Sequence, residues 1–303
     1  MQTAVITGAT SFIGVHLISK LAERGYHVIG VIRPGSDKKK IASFCEIVEA
    51  EMKDYDKLDE LIKSRTDIFF SLAWDGTRGN TRNDENLQRL SYEYSVNAVE
   101  ALYRMGCTKF VSAGSQAEYG NRNENIDESA AENPVTQYGI YKLKFDRYLA
   151  DFARAKGVSF KEPRFFSLYG PDNFSTTMVS DMLAKMLLNQ PCDLTECVQK
   201  WDFLYIDDAV DALIRLIEMK CQDGVYNFGS GDSRPLKEFV WEMKELTGSK
   251  SQLNFGAVPY PSTGIVSLAP DISKLRQELN WAPQVSFAQG ISRVIKALKG
   301  EMR

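Results

Sequence analysis

Histidine is scarce in this chain: only His16 and His27 occur among 303 residues. Histidine-based catalytic triads and His-rich metal sites are therefore nearly excluded, and proton transfer must come from other side chains. The five cysteines are Cys45, Cys107, Cys192, Cys197 and Cys221. Because their number is odd and they show no paired zinc spacing, we expect reduced thiols, no disulfide framework and no bound metal.

Long apolar runs and a dominant sign of charge are also missing. Stretches such as 203–206 are far shorter than the ~20 residues that a membrane span needs, and no secretory leader follows Met1. The 37 Lys and Arg residues are scattered among 40 Asp and Glu, with a net charge of -3. No field of one sign is available to hold a polyanion. We expect a cytoplasmic protein with neither nucleic acid nor membrane as a partner.

Strand, turn and helix patterns alternate along the first half of the chain. A buried strand is predicted at 3–7, and further strands at 27–32, 46–49, 67–72 and 109–113, and later at 159–166 and 224–228. Helices are predicted between them and at 177–188, 207–219 and 236–246. This alternation predicts an α/β fold with a Rossmann-type, doubly wound parallel sheet. We assign residues 1–170 and 201–228 to the sheet domain, and 171–200 and 229–303 to a smaller, discontinuous lobe.

A glycine turn joins the first predicted strand to the first predicted helix. It reads Thr7-Gly8-Ala9-Thr10-Ser11-Phe12-Ile13-Gly14. Backbone N–H groups at a helix N-terminus can face a pyrophosphate, Gly8 permits a tight turn, and Gly14 lets helix and sheet approach each other. Ser11 stands where a middle glycine is usual, so its side chain must point away or donate to a phosphate. The turn predicts that the sheet domain binds a dinucleotide.

The residue after the second predicted strand bears on the choice of cofactor. A carboxylate there would accept hydrogen bonds from the ribose hydroxyls of NAD, but this chain has Arg33. A guanidinium can bind a 2′-phosphate, which favours NADP(H), with NAD as the alternative. The other interpretation of Arg33 is a solvated surface charge.

Three residues form a candidate catalytic set. Tyr138 and Lys142 are four residues apart, which on a helix puts both side chains on one face. The ammonium would then lower the pKa of the phenol, so that Tyr138 could exchange a proton with a sugar hydroxyl. Ser115, after the fifth predicted strand, would hydrogen-bond the same oxygen. The Tyr-x-x-x-Lys spacing by itself is also typical of a solvated helix face.

With these motifs the chain resembles the extended short-chain dehydrogenases/reductases, a family of nucleotide-sugar epimerases, dehydratases and ketoreductases. The resemblance covers nearly the whole length. Further matching segments are Leu72-Ala73, Asn97, Ser115 to Gly120, Pro163 to Phe166, Tyr169 to Pro171, Asp202 to Asp208, Asp271 to Leu275 and Leu279 to Pro283.

The resemblance implies several contacts with the cofactor. Glu51 and Met52 would sit at the adenine, Leu72, Ala73 and Trp74 along the dinucleotide, and Tyr138 and Lys142 on the nicotinamide ribose. Asn97 and Phe165 belong to the same implied set. The resemblance also implies a homodimer formed through the helices that carry Asn97 and Tyr138.

Departures from the family pattern affect the predicted reaction and substrate. Gln116-Ala117 replace the Asp-Glu pair of the dehydratases, which disfavours dehydration. The family often has Asn where Ser167 stands, Arg where Trp201 stands, and a late Arg near Pro261. Arg78, Lys200 or Arg234 could supply the missing cation, although each is also typical of an exposed charge. We place Gln116 and Ser167 among the candidate substrate-binding residues.

Three hypotheses follow for the function. The first is an NADPH-dependent 4-keto reductase of a nucleotide-linked deoxyhexose, which Arg33 favours. The second is a nucleotide-sugar 4-epimerase with tightly bound NAD(P). The third, from another class, is a non-catalytic NADPH-binding regulator, which the intact Ser115, Tyr138 and Lys142 set disfavours.

Overall fold

A parallel β-sheet forms the centre of the molecule. The computed structural model describes residues 1–123, 125–172, 177–260 and 265–301. Its strands are β1 (Thr3–Thr7), β2 (His27–Ile32), β3 (Glu46–Glu49), β4 (Ile68–Ser71), β5 (Lys109–Ser112), β6 (Gly114–Ser115), β7 (Asn125–Ile126), β8 (Ser159–Phe165), β9 (Leu168–Tyr169), β10 (Cys192–Leu194), β11 (Lys200–Trp201), β12 (Leu204–Tyr205), β13 (Gly224–Phe228), β14 (Arg234–Pro235), β15 (Leu253–Phe255) and β16 (Ala269–Pro270).

Helices connect these strands. They are α1 (Phe12–Glu23), α2 (Leu58–Leu61), α3 (Glu85–Arg104), α4 (Gln137–Lys156), α5 (Met178–Leu187), α6 (Ile206–Glu218), α7 (Leu236–Thr247), α8 (Ser273–Leu279) and α9 (Phe287–Glu301), with short 3₁₀ helices at Met52–Lys57, Gly79–Asn83 and Gln116–Glu118. The predicted helices match α5, α6 and α7 to within a residue or two at each end.

The strand order is β3-β2-β1-β4-β5-β8-β13, and all of these pairs are parallel. The two-residue β6 pairs with β8 beside this series. The predicted Rossmann-type sheet is confirmed. Thr7 lies in register with Val31 and with Ser71, and Ser71 with Ser112. The turns that follow β1, β2, β4 and β5 therefore meet at one edge of the sheet.

Both faces of the sheet are covered, because the strands are apolar on both sides. All five residues of β1 are buried. Ile6 packs in a cluster that includes Leu17 of α1 and Leu213 of α6. Val5 packs on the other face with Leu102 of α3 and Phe145 of α4.

The C-terminal part adds helices and short strand pairs to this core. β10 pairs with β15 and β11 with β14, while α5, α7 and α9 pack against one another. Buried carboxylates hold two of its loops: Asp202 accepts from the N–H groups of Ser230 and Gly231 at 2.6 and 2.8 Å, and Asp208 accepts from two further backbone N–H groups. One apolar cluster runs from the sheet into this region. The domain boundaries at 170, 200 and 228 stay a prediction.

Three composition-based expectations can be compared with the described residues. All five cysteines are free thiols, as expected. Within the described ranges, we find no group of His, Cys, Asp and Glu placed to hold a metal ion. No helix in those ranges combines the length and apolarity that a bilayer crossing requires.

Candidate active site

A cleft of about 460 Å³ opens at the edge of the sheet where β1, β4, β5 and β8 end. The residues that line it are Ser11, Phe12, Ile13, Leu72, Trp74, Thr77, Arg78, Ala113, Gly114, Ser115, Tyr138, Lys142, Phe165, Phe166, Ser167, Leu168, Thr177, Met178, Val179, Trp201 and Phe203. Some of these residues follow strands of the central sheet, and others lie around α5 and on β11. Parallel α/β sheets bind ligands at this edge.

A second, smaller cleft of about 210 Å³ continues from the first. Ser11, Leu72 and Trp74 line both. Arg33 reaches the small cleft from the end of β2, and its guanidinium lies 3.6 Å from the Asp75 carboxylate. Because the two clefts share Ser11, Leu72 and Trp74 at the ends of β1 and β4, a single ligand could extend across both.

The glycine turn fits a phosphate group. Gly8 has a φ of 68°, and a Cβ on it would lie 2.8 Å from the backbone nitrogen of Ala73. A Cβ on Gly14 would lie 2.4 Å from the Gly8 carbonyl oxygen. The N–H groups of Phe12 and Ile13 are in the first turn of α1, where no intrahelical acceptor exists, and both residues line the large cleft.

Ser11 has a defined role in this turn. Its hydroxyl oxygen accepts a hydrogen bond from the Gly14 N–H at 3.1 Å and so caps α1. The hydroxyl hydrogen is not used in that bond and can be donated to an anion. Ser11 can thus point toward a phosphate while it stabilises the helix that presents the other donors.

The candidate catalytic residues meet in the large cleft. Ser115 ends β6, and Tyr138 and Lys142 lie one turn apart at the start of α4, which Thr136 caps by accepting from Gly139 N–H at 3.1 Å. The Lys142 ammonium donates to the Ala113 carbonyl at 2.9 Å. It also lies 3.9 Å from the centre of the Trp74 ring. The structure therefore brings together the three residues that the sequence singled out.

The electrostatics of Tyr138 differ from the sequence-based expectation. Burial raises the pKa of Tyr138, while a hydrogen bond with Ser115 and the positive charge of Arg82 act in the opposite direction. The Arg82 guanidinium lies 4.5 Å from the centre of the Tyr138 ring. The expectation that Lys142 would acidify the phenol is wrong for this arrangement, because desolvation outweighs the nearby positive charge and the ammonium is directed at Ala113. Tyr138 stays protonated at neutral pH.

Lys142 is itself perturbed. Burial lowers the pKa of Lys142 to about 8, although the negative charges of Glu118 and Glu162 act to raise it. The ammonium form is therefore present below about pH 8 and is lost as the pH rises through that value. Any step that needs the charge of Lys142 should fail on the alkaline side.

The other predicted cofactor residues are divided. Thr10, Met52 and Ala73 line the small cleft, and Phe165 lines the large one. Glu51 is exposed next to Met52, immediately before a 3₁₀ helix. Asn97 lies in the middle of α3 and lines neither cleft.

The predicted substrate residues are also divided. Arg78 and Ser167 line the large cleft, whereas Gln116, Lys200 and Arg234 do not. The guanidinium of Arg234 is paired with Glu242 and with Asp232. It also lies 4.0 Å from the centre of the Phe239 ring.

Lys200 and Arg234 therefore stay predictions as substrate-binding cations. Lys200 is exposed on β11, and the neighbouring Trp201 lines the cleft. Arg234 is the register partner of Trp201 on β14 and is paired with Glu242 and Asp232. The segment at Pro261 lies outside the described residues.

Sequence reasoning missed several residues of the site. Thr77, Met178 and Phe203 line the large cleft, and Arg82 covers the Tyr138 ring. Arg82 carries no local signal, because only the fold brings the loop before α3 onto the start of α4. Glu162 could have been noticed, since a carboxylate inside an otherwise buried strand is unusual.

Comparison with known proteins agrees with this geometry. Residues 4–229 match the profile of the NAD dependent epimerase/dehydratase family. The chain belongs to this family. The resemblance to extended short-chain dehydrogenases/reductases is thereby confirmed, and the NAD dependent epimerase/dehydratase family is a family of enzymes.

Individual relatives within the family differ in their reactions. A Methanocaldococcus jannaschii protein assigned as a UDP-glucose 4-epimerase is 27% identical over 99% of both chains. The dTDP-4-dehydro-6-deoxyglucose reductase of Escherichia coli is 25% identical over 97% of both chains. The crystal structure of UDP-glucuronic acid 4-epimerase from Bacillus cereus in complex with NAD superposes with a TM-score of 0.84, covering 100% of both chains at 22% identity. That last likeness concerns the fold.

Proposed function

We propose that this protein is an NADPH-dependent reductase that acts on the 4-keto group of a nucleotide-linked deoxyhexose. The observation that carries the proposal is the convergence of Ser115, Tyr138 and Lys142 in a cleft that continues into the small cleft. When bound there, the nicotinamide would supply the hydride. The chain's own residues would bind, orient and protonate the sugar oxygen.

Ser115 and Tyr138 would hold the carbonyl oxygen of the substrate. Burial keeps the phenol of Tyr138 protonated at neutral pH, and this is the form that a proton donor needs. The donated proton neutralises the alkoxide that forms as hydride arrives. Oxidation of a hydroxyl would instead need Tyr138 to accept a proton.

Arg33 supports NADP(H) as the cofactor, with NAD as the alternative. Its guanidinium stands at the end of β2, in the small cleft, where an adenosine ribose would lie. A 2′-phosphate would compete with Asp75 for that guanidinium and would form a stronger, charge-assisted contact. Glu51 and Met52 would flank the adenine. The B. cereus neighbour binds NAD, so similarity alone does not support NADP.

The substrate would enter between the sheet domain (1–170 and 201–228) and the smaller lobe (171–200 and 229–303). Arg78 is our candidate for binding a phosphate of the substrate, because it lines the large cleft beside Thr77. Ser167 would contact the sugar. We keep a homodimer formed through α3 and α4, which include Asn97 and Tyr138, as part of the proposal.

A 4-epimerase is the second candidate, and the relatives assigned as epimerases favour it. The two functions are separated by following NADPH absorbance with CDP-, dTDP-, GDP- and UDP-linked 4-keto sugars. A reductase consumes one NADPH for each sugar reduced. An epimerase is purified with bound cofactor and interconverts 4-hydroxy sugars without net NADPH loss.

The same panel tests whether the protein is an enzyme at all. Normal NADPH affinity with no turnover of any 4-keto or 4-hydroxy sugar would contradict both catalytic proposals. It would instead support the non-catalytic NADPH-binding regulator. Tighter binding of NAD than of NADP would overturn the choice of cofactor and leave the reaction open.

A further inference from the structure

A cluster of buried charges lies directly behind Ser115 and Lys142. At its centre is Arg164 of β8, whose side chain has no exposed surface. Four carboxyl groups surround its guanidinium at 2.5 to 3.6 Å: Glu118, Glu132, Asp146 and Glu162. Glu118 and Glu162 are 0% and 1% exposed. The proposed function assigns no role to this cluster.

The charges of the cluster do not balance if every carboxyl group is ionised. Four negative charges would face three positive ones, on Arg164, on Lys142 and on Arg147, which pairs with Glu132 at 3.2 Å. One oxygen each of Glu118, Glu162 and Asp146 would also be buried without a hydrogen-bond donor. One retained proton balances these charges, and a second gives the buried oxygens a further donor.

The arrangement of the side chains identifies the two groups that retain these protons. Glu118 and Glu162 each place an oxygen 3.1 Å from Nε of Arg164, and Asp146 places one 3.6 Å from the same guanidinium. Carboxyl groups crowded in this way favour a proton shared between them, because ionised carboxylates only accept hydrogen bonds and repel one another. Protons on Asp146 and Glu162 leave Glu118 and Glu132 ionised beside Arg164, Lys142 and Arg147.

The direction of the pKa shifts agrees with this assignment. Burial raises the pKa of Asp146 to about 10 and that of Glu162 to about 8. Repulsion from Glu162 adds to the effect of burial at Asp146, and repulsion from Glu118 adds to it at Glu162, whereas Arg164 lowers both pKa values. Burial also raises the pKa of Glu118, and Arg164 and the Ser115 N–H act to lower it. Asp146 therefore donates to Glu162, and Glu162 donates to an ionised Glu118.

The cluster touches the candidate catalytic residues at defined points. An oxygen of Glu118 accepts from the backbone N–H of Ser115 at 2.7 Å. A Cβ on Gly114 would lie 2.2 Å from a Glu162 oxygen, so the carboxyl group packs directly against the β6 backbone. Asp146 follows Lys142 by one turn of α4. The charge of Glu118, and that of Glu162 once it is ionised, act to raise the pKa of Lys142.

We propose that Asp146, Glu162 and Glu118 form a buried proton-sharing chain that positions Ser115 and maintains the charge of Lys142. They are positioning residues, since they act on substrate and cofactor only through those two. The other charged and titratable groups around the chain are Glu132, Arg147, Arg164, Tyr119 and Glu128. The catalytic consequence rests on the proposed function, whereas the proton sharing does not.

The chain has a specific consequence at alkaline pH. As the pH approaches 8, Glu162 can release its proton, and the new negative charge then opposes deprotonation of Lys142. Glutamine at position 162 cannot respond in this way. Glu162→Gln should therefore lose the Lys142 ammonium at lower pH than the wild type, and the alkaline limb of its kcat/KM profile should move down by about one pH unit.

Infrared spectroscopy of the whole protein at neutral pH tests the proton sharing without any substrate. The carbonyl stretch of protonated carboxyl groups should be present in the wild type and should lose intensity in Glu162→Gln and in Asp146→Asn. The matched controls are Glu46→Gln on β3 and Asp151→Asn on α4, whose carboxylates are 50% and 75% exposed. Neither control should change the signal.

Each outcome decides the proposal. Absence of protonated carboxyl signal in the wild type, or equal signal in all variants, overturns the chain. A uniform loss of kcat/KM at every pH, with the alkaline limb unmoved, overturns the effect on Lys142 and leaves a merely structural role. If Glu162→Gln does not fold, Asp146→Asn still tests the proton sharing through its infrared signal, and Glu118→Gln, which removes a charge that raises the pKa of Lys142, tests the alkaline limb. Failure to turn over any sugar, with the infrared result intact, refutes the proposed function alone; the pH dependence of NADPH binding then tests Lys142.

Discussion

The two clefts differ in how their polar residues are supplied. The small cleft takes its residues from the turns after β1, β2 and β4 and from the 3₁₀ helix at Met52–Lys57. The large cleft shares some of those turns, but others of its residues come from α5, β11 and the loops around them. The register of the sheet fixes the positions of residues at the strand ends. The positions of residues around α5 and β11 depend instead on how several short elements pack together. The proposed cofactor side is thus the more firmly determined half.

Removal of the Tyr138 hydroxyl from the large cleft should cause the largest loss of activity. Tyr138→Phe should lower kcat on the order of a thousandfold, because no other group in the cleft replaces the lost proton donor. NADPH affinity should stay nearly the same. Tyr148→Phe is the control: it removes a hydroxyl from the same helix, one that contacts Glu100 far from the cleft. Retained turnover in Tyr138→Phe would refute the proposed chemistry.

Gly8→Ala tests the cofactor side through its backbone. The new Cβ would meet the Ala73 backbone at 2.8 Å, and the φ of 68° is unfavourable for alanine. We expect NADPH affinity, measured by fluorescence titration, to fall on the order of a hundredfold. Gly25→Ala is matched to it, since Gly25 has a φ of 81° but open space around it. The control should lose some stability without losing affinity; equal losses of affinity would contradict the assignment of the turn.

Arg33→Ala tests the proposed contact with the 2′-phosphate of the cofactor in the small cleft. Loss of a charge-assisted contact with a 2′-phosphate should raise the KM for NADPH by about thirtyfold. The KM for NADH should change little, because NADH has no phosphate at that position. Steady-state kinetics with both cofactors measures the difference. An equal change in the KM for NADPH and in the KM for NADH would show that Arg33 does not contact the 2′-phosphate.

The substrate side of the large cleft should respond more weakly. Arg78→Ala should raise the KM for a nucleotide sugar by about tenfold, since Arg78 lines the cleft. Arg234→Ala should change the KM by less than about twofold and instead lower the melting temperature, because Arg234 pairs with Glu242 and Asp232. The reverse ranking of the two variants would mean that Arg234 is released to the substrate.

The contrast between the clefts also explains what could be predicted from sequence. Alternating patterns and the Gly8 turn were sufficient for the sheet and its cofactor edge, because short-range chain geometry determines them. Whether Lys200 and Arg234 contact the substrate could not be predicted in this way. The partners of Arg234 are Asp232, in the loop before β14, and Glu242 on α7, and only the fold brings these residues together. The pKa of Tyr138 was also out of reach, because it depends on burial between Arg82, Ser115 and Trp74.

Transfer of deuterium tests the central claim most directly. The protein is incubated with NADPH carrying deuterium at the reactive carbon of the nicotinamide and with a nucleotide-linked 4-keto-6-deoxyhexose. The account predicts one deuterium per product sugar, bonded to C4, in wild-type protein and in Tyr148→Phe but not in Tyr138→Phe. A product sugar without deuterium, or one labelled equally in Tyr138→Phe, would contradict it.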